Sequence, residues 1–175
     1  MRAAIATTVL SMLAARDRAL FDRIATGPSH HRLARWGWTC VTHGGGVITT
    51  IAAATLPMLL GGAIQHAAMQ ALLTLVASHV VVQAIKRTVG RPRPSRVDAK
   101  AKTWAVEPDR FSFPSGHSAA VISVALAYAI AFPPFALVLL PVAFFVGFSR
   151  VRLGVHYPGD VIAGQLIAAA TALIV

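Results

Sequence analysis

Residues 111–149 read FSFPSGHSAAVISVALAYAIAFPPFALVLLPVAFFVGFS and contain no Asp, Glu, Lys or Arg. At about 1.5 Å per residue, one helix of that length would run far past the roughly 30 Å hydrocarbon core of a bilayer. The stretch must divide, and Pro133-Pro134 is where a helix cannot continue. A hairpin of two membrane helices follows, near 115–132 and 135–148.

The same pattern extends outward. Residues 36–64 lack Asp, Glu, Lys and Arg and are expected to form a first span, with His43 and the glycines at 44, 45 and 46 making its first turns unusual. A second span, 67–85, ends in Lys86-Arg87, and a last one occupies 159–175. Residues 88–110 form the only long polar loop, and long loops in compact proteins tend to carry function. At the N-terminus a short apolar run is followed by Arg16, Asp17, Arg18, Asp22 and Arg23, interleaved with Leu20, Phe21 and Ile24 at helical spacing. The run is too short to span, so an interfacial helix is expected there, stopped at Gly27-Pro28. The expected fold is all-α: an integral-membrane bundle of about five transmembrane helices plus this N-terminal helix, or six if it inserts. One domain would cover 1–175, with the N-terminal segment at 1–28 and the chemistry within 86–160.

Composition agrees. Of the 175 residues 56% are hydrophobic and 13% charged, against about a quarter charged in a soluble domain. The net charge of +10 raises nucleic acid as a partner, but Arg and Lys sit between apolar runs, where residues that anchor spans and meet lipid phosphates belong. The partners implied are the bilayer and a lipid, with no nucleic acid. Cys40 is the single cysteine and cannot make an internal disulfide, and there is no zinc signature.

Polar groups are costly near a membrane and tend to mark function. Three clusters interrupt the apolar pattern: Lys86 through Pro94, Pro114-Ser115-Gly116-His117, and Ser149-Arg150 followed by His156 and Asp160. The span assignment puts all three on one side of the membrane. Lys86, Arg93 and Arg150 offer fixed positive charge suited to phosphate oxygens. Ser115 and Gly116 open a helix, whose free N–H groups favour an anion. Asp160, four residues beyond His156, can accept a hydrogen bond from the imidazole and leave its other nitrogen free to attack phosphorus. His117 would protonate the leaving oxygen and later activate water. No metal or other cofactor is required by this scheme.

Singly, each cluster has an ordinary explanation: a juxtamembrane basic patch, a helix start, a structural His–Asp pair or half a metal site. Jointly, Lys86, Arg93-Pro94, Pro114 to His117, Ser149-Arg150, His156 and Asp160 resemble the type 2 phosphatidic acid phosphatase family at each fixed position of its pattern. The resemblance implies a metal-independent lipid phosphatase forming a phosphohistidine at His156, with His117 as acid and Lys86, Arg93, Ser115, Gly116 and Arg150 on the phosphate. Family members commonly have six spans with the first motif after the third, whereas here it follows the second.

Other residues carry weaker expectations. His43, His66 and His79 are expected as polar glue between helices or as interface residues, Arg91 and Arg96 as solvated or headgroup-facing, Trp36, Trp38 and Trp104 as interface anchors, and Gly90 as a turn residue. Substrate candidates are a polyprenyl (di)phosphate, phosphatidate or phosphatidylglycerophosphate, and a polyprenyl-phosphoryl sugar phosphate. The alternatives are a lipid phosphotransferase using an alcohol acceptor and a non-catalytic lipid-binding or transport protein. All 16 Lys and Arg fall on the catalytic side, which by positive-inside logic is cytoplasmic, whereas the resemblance points to an outward-facing site in a bacterial plasma membrane.

Overall fold

A computed structural model describes residues 2–25, 32–98, 103–107 and 109–175. They form α1 (Arg2–Ala25), α2 (Arg32–His43), α3 (Val47–Thr55), α4 (Gly62–Val89), the single turn α5 (Pro94–Val97), α6 (Gly116–Ala131), α7 (Ala136–Arg152) and α8 (Pro158–Ala172). Among the described residues the β structure is one isolated bridge, Pro92 to Phe111. The fold is all-α and integral to the membrane. α4 and residues 133–152 are each long and apolar enough to cross a bilayer, and residues 33–43 and 47–60 together have the apolar length of a broken span or a re-entrant loop, bent by 40°. α6 and α8 are shorter, at 16 and 15 residues.

Punctuation residues set the boundaries. α4 ends at Gly90, whose positive φ of 62° lets its N–H reach the Lys86 carbonyl, the left-handed cap for which glycine is best suited. Pro133-Pro134 makes the tight turn between α6 and α7. Pro141 lies inside α7 and does not end it. The expected first span is broken at Gly44–Gly46. A Cβ on Gly45 would stand 2.6 Å from Val146 Cγ1 and 3.0 Å from the His117 carbonyl oxygen, so glycine lets this break press against α6 and α7.

α6 is the hub, packing against α3, α4, α7 and α8. Apart from Val121 its buried residues are small: Ser118, Ala119, Ala120, Ser123, Ala125, Ala127 and Ala129. Lipid tails are as apolar as leucine, so helix association in a bilayer depends on close approach and interhelical hydrogen bonds. Both are present. Ala119 meets Val82 of α4 and Ala168 of α8, Ser78 and Ser123 share a hydrogen bond of 2.8 Å, and the Tyr128 hydroxyl donates to the Ala53 carbonyl at 2.7 Å. His43, His66 and His79, expected as polar glue between helices or as interface residues, are all exposed, and His66 and His79 bond within α4.

The C-terminal half of α1 runs across the rim formed by the ends of α7 and α8. Asp17 accepts from the Gly159 N–H at 2.7 Å, Phe21 is buried against Val151, Tyr157 and Val161, and the Ile24 carbonyl accepts from Arg152 at 2.6 Å. From Asp17 to Ile24, eight residues and about 10 Å of helix, α1 keeps to this one rim of the bundle.

The tightest helix approach gives a test. A Cβ on Gly164 of α8 would overlap the Ser115 carbonyl oxygen, a backbone atom that cannot swing away. Gly164→Ala should lower stability by roughly 2 kcal/mol, measured by thermal unfolding in detergent. Gly37→Ala, where nothing lies within 4 Å, should leave the melting temperature unchanged or raised.

Candidate active site

Three pieces of backbone meet at one end of the bundle: the segment after α4, the start of α6, and the loop from Leu153 to Tyr157 ahead of α8. Backbone hydrogen bonds tie them together. The Ser115 N–H donates to the Asp160 carbonyl at 2.9 Å and the Ser112 N–H to the Arg91 carbonyl at 2.8 Å. The Ser115 hydroxyl, capping α6, accepts from the Ser118 hydroxyl at 2.9 Å.

Arg93 is fully buried. Its Nη1 donates to the Val155 carbonyl at 2.9 Å, its Nε to the Asp109 carbonyl at 2.7 Å, and its Nη2 meets the Asp109 carboxylate at 3.0 Å. The other Asp109 oxygen takes Lys86 Nζ at 2.6 Å. One carboxylate thus holds two of the three cations. Burial alone would raise the Asp109 pKa, but the hydrogen bond and charge of Lys86, reinforced by Arg93, hold it below the usual carboxylate value. Asp109 was not singled out from the sequence. A counter-ion can come from any segment that folding brings near, so no spacing announces it.

Arg150 reaches in from α7 and is 2% exposed. Its Nη1 donates to Thr42 Oγ1 of α2 at 2.7 Å. Its Nε and Nη2 are buried without a hydrogen-bond partner among the described residues, so this guanidinium keeps donors available for an anion.

His156 sits just before α8, and its Nε2 lies 3.3 Å from Arg93 Nη1. The opposite nitrogen, Nδ1, faces Asp160 Oδ2 at 3.6 Å. The sequence led to a direct hydrogen bond here, but the separation is longer than one and leaves an electrostatic attraction. The reason is that Asp160 serves other donors. Its Oδ2 accepts the Tyr157 N–H at 2.8 Å as the cap of α8, and its Oδ1 takes Arg91 Nη1 at 2.8 Å. Arg91, expected to face solvent or headgroups, instead bridges Asp160 and Asp17 (2.7 Å) and lies over the Tyr157 ring at 4.0 Å. Arg96 is exposed, as expected.

His117, in the first turn of α6, is within electrostatic reach of Arg150, His156, Lys86 and Arg93, with Gly45 packed against its backbone. Gly116 has open space where a side chain would be. Lys86, Arg93, Ser115, Gly116, His117, Arg150, His156 and Asp160 are therefore gathered at one locus. Of the tryptophans, Trp36 is 70% exposed, Trp38 packs on Phe148, and Trp104 lies under Arg35 at 4.2 Å.

Burial pushes the His156 pKa down to about 4, against the opposing pull of Asp160 and with help from Arg150 and Arg93. The imidazole is neutral at pH 7, with Nε2 unprotonated and its electron pair facing Arg93 Nη1. A neutral imidazole between guanidiniums, one of which has open donors, can bind an anion and attack its central atom.

The family model described as the PAP2 superfamily matches residues 67–175. The lipid A 1-phosphatase of Rhizobium johnstonii is 37% identical over 100 residues, covering 55% of this chain and 41% of that protein. The chain thus spans about two fifths of the lipid A 1-phosphatases it matches. The decaprenylphosphoryl-5-phosphoribose phosphatase of Mycobacterium tuberculosis is 31% identical over 173 residues, 95% of this chain and 88% of that one. In fold, the crystal structure of Aquifex aeolicus LpxE aligns with a TM-score of 0.78 at 23% identity, over 89% of this chain and 92% of that one. A transmembrane PAP2-type phosphatidylglycerolphosphate phosphatase from Bacillus subtilis aligns with a TM-score of 0.75 at 21% identity, over 93% and 84%.

The His156 pKa has a consequence for stability. The unfolded chain takes up this proton below about 6.5, the folded protein only below about 4, so the contribution is complete above 6.5 and is lost as the pH falls toward 4. The loss should be on the order of 3 kcal/mol, read from melting curves between pH 7 and 4. His156→Asn should make that slope shallower. An equal slope in wild type and variant would place the buried neutral group elsewhere.

Proposed function

The chain belongs to the PAP2 superfamily, and from that membership we propose that it is a lipid phosphatase whose nucleophile is His156. The observation that carries this reading is the neutral, buried imidazole set against Arg93, with Arg150 offering to the same locus two buried nitrogens that have no partner among the described residues. A phosphate accepting from Arg93, Arg150, Lys86 and the first N–H groups of α6 would have its negative charge neutralised before reaction.

The chemistry then runs in two displacements. His156 Nε2 donates its electron pair to phosphorus, the bond from phosphorus to the lipid oxygen breaks, and His117 supplies the proton that the departing oxygen takes up. Water next attacks the phosphohistidine while His117 accepts its proton, the P–N bond breaks, and inorganic phosphate leaves with His156 restored. The imidazolium character that develops at His156 is balanced by Asp160, whose carboxylate faces Nδ1. The cations that a metal would otherwise supply are Lys86, Arg93 and Arg150.

For the substrate we favour a polyprenyl-linked sugar phosphate. The decaprenylphosphoryl-5-phosphoribose phosphatase is matched along nearly its whole length, whereas the lipid A 1-phosphatases are matched over less than half of theirs. Charge supports a cytoplasmic site in a bacterial plasma membrane. Setting aside Lys86, Arg91, Arg93 and Arg150, which the site uses, leaves 12 of the 16 Lys and Arg, all assigned by sequence to the same side. A single domain over 1–175, with α1 as its rim, fits this assignment.

Purified protein should release phosphate from lipid phosphates in the presence of a metal chelator, fastest from a polyprenyl-phosphoryl sugar phosphate within a panel that includes undecaprenyl diphosphate, phosphatidate and lipid A. His156→Ala should lower turnover by at least about 10³-fold. Full activity in that variant, or release that stops in chelator, would overturn the mechanism. A panel led by another lipid would overturn the substrate class alone.

A further inference from the structure

We infer that the N-terminal helix is part of the catalytic apparatus: Asp17 is a positioning residue that acts through Arg91 on Asp160, and so on His156. The inference rests on the proposed role of His156.

Asp160 carries the negative charge that faces the imidazole, yet its carboxylate is held from outside its own helix. Oδ2 is committed to the Tyr157 N–H, and Oδ1 takes Arg91 Nη1. The direction of the carboxylate therefore depends on where Arg91 stands. Arg91 comes from the segment after α4 and is about a fifth exposed, so Asp160 and the Tyr157 ring alone leave it a way out to solvent. Asp17 closes that way. Its Oδ2 meets at 2.7 Å the same Arg91 nitrogen that Asp160 Oδ1 meets at 2.8 Å.

Asp17 is itself fixed on the active-site backbone. Its Oδ1 accepts the Gly159 N–H at 2.7 Å, one of the first-turn N–H groups of α8 that have no partner within the helix, and a carboxylate is favoured at that end by the helix dipole. Position 159 must be small for this contact, since a Cβ there would stand 2.9 Å from Asp17 Oδ2. Phe21, one turn further along α1, packs edge-on against Tyr157 at 5.3 Å, the same ring that Arg91 covers. One carboxylate on α1 thus joins the segment after α4 to the start of α8 at the residue before Asp160. Arg16 and Arg18, its neighbours in sequence, are exposed, so Asp17 is the charge of this turn that faces inward.

The test uses the full chain in lipid nanodiscs. Asp17→Asn keeps an acceptor for Gly159 but removes the charge from Arg91. It should lower kcat roughly ten-fold with KM changed by less than about two-fold, and Asp17→Glu should recover part of the loss. In an Asp160→Asn background the same substitution should cost less than about two-fold more, because the step it acts through is already gone. An unchanged kcat in Asp17→Asn, or the same factor lost in both backgrounds, would overturn the inference, the latter being what a purely structural role gives. A second readout does not need turnover. In protein with labelled histidines, the His156 ring, assigned by His156→Asn, should hold its proton on Nδ1 in the wild type and show a mixture of tautomers in Asp17→Asn. Identical ring signals in the two proteins would overturn the clamp. Absence of turnover in the wild type would instead count against the phosphatase function, with the ring signals still deciding the clamp.

Discussion

Arg93 is a guanidinium with none of its surface in water, and a charge in that position is tolerated only when partners surround it. Asp109 and the Val155 carbonyl are those partners. Much of the site follows from this one burial. Asp109 must return to the end of α4, so the loop after α5 folds back beside Arg93 and leaves Lys86 sharing the same carboxylate. Val155 must present its carbonyl, which sets the loop that carries His156 one residue later. Removing the carboxylate would leave two buried cations facing each other near a third.

The bundle beneath has to deliver four segments to this point without a hydrophobic force between helices. α6 does so with a small-residue face that lets α4, α7 and α8 come close, and with Ser78, Ser123 and Tyr128 as interhelical hydrogen bonds. Glycine appears where backbones touch, Gly45 against the His117 carbonyl and Gly164 against that of Ser115, and where side chains crowd a helix, Gly147 under Val161 and Gln165. The contact at Gly164 also sets the N-terminus of α6, so packing in the membrane and the position of the candidate phosphate cradle are one problem. At the break between α2 and α3, Thr42 accepts from Arg150 and Gly45 packs against the His117 carbonyl, which ties this break to the site.

The fold and the locus were largely legible in the chain. The absence of charge over 111–149 with one Pro-Pro break prescribes a hairpin, because the bilayer admits little else. The three clusters were readable because phosphate chemistry needs fixed residue types at spacings that local backbone geometry enforces. What escaped shares one cause. Asp17, Asp109 and Thr42 contribute through tertiary proximity, at no regular distance from the motifs they support. Arg91 was misassigned because a cation beside a basic cluster has the same sequence neighbours whether it meets a headgroup or a carboxylate. The bend at Gly44–Gly46 was visible as an oddity, but its reason lies in the Val146 and His117 atoms opposite. The His156–Asp160 spacing was right, while their separation of 3.6 Å depends on Arg91 and the Tyr157 N–H, which compete for the carboxylate.

The central claim is that His156 Nε2 becomes bonded to phosphorus, and trapping that bond tests it most directly. Protein quenched during turnover of a phosphorus-labelled lipid phosphate should carry label that survives alkali, is lost in acid and maps to the peptide containing His156, with none retained by His156→Asn. Label on another residue, or turnover in which no phosphoenzyme forms and water attacks the lipid phosphate directly, would contradict the account.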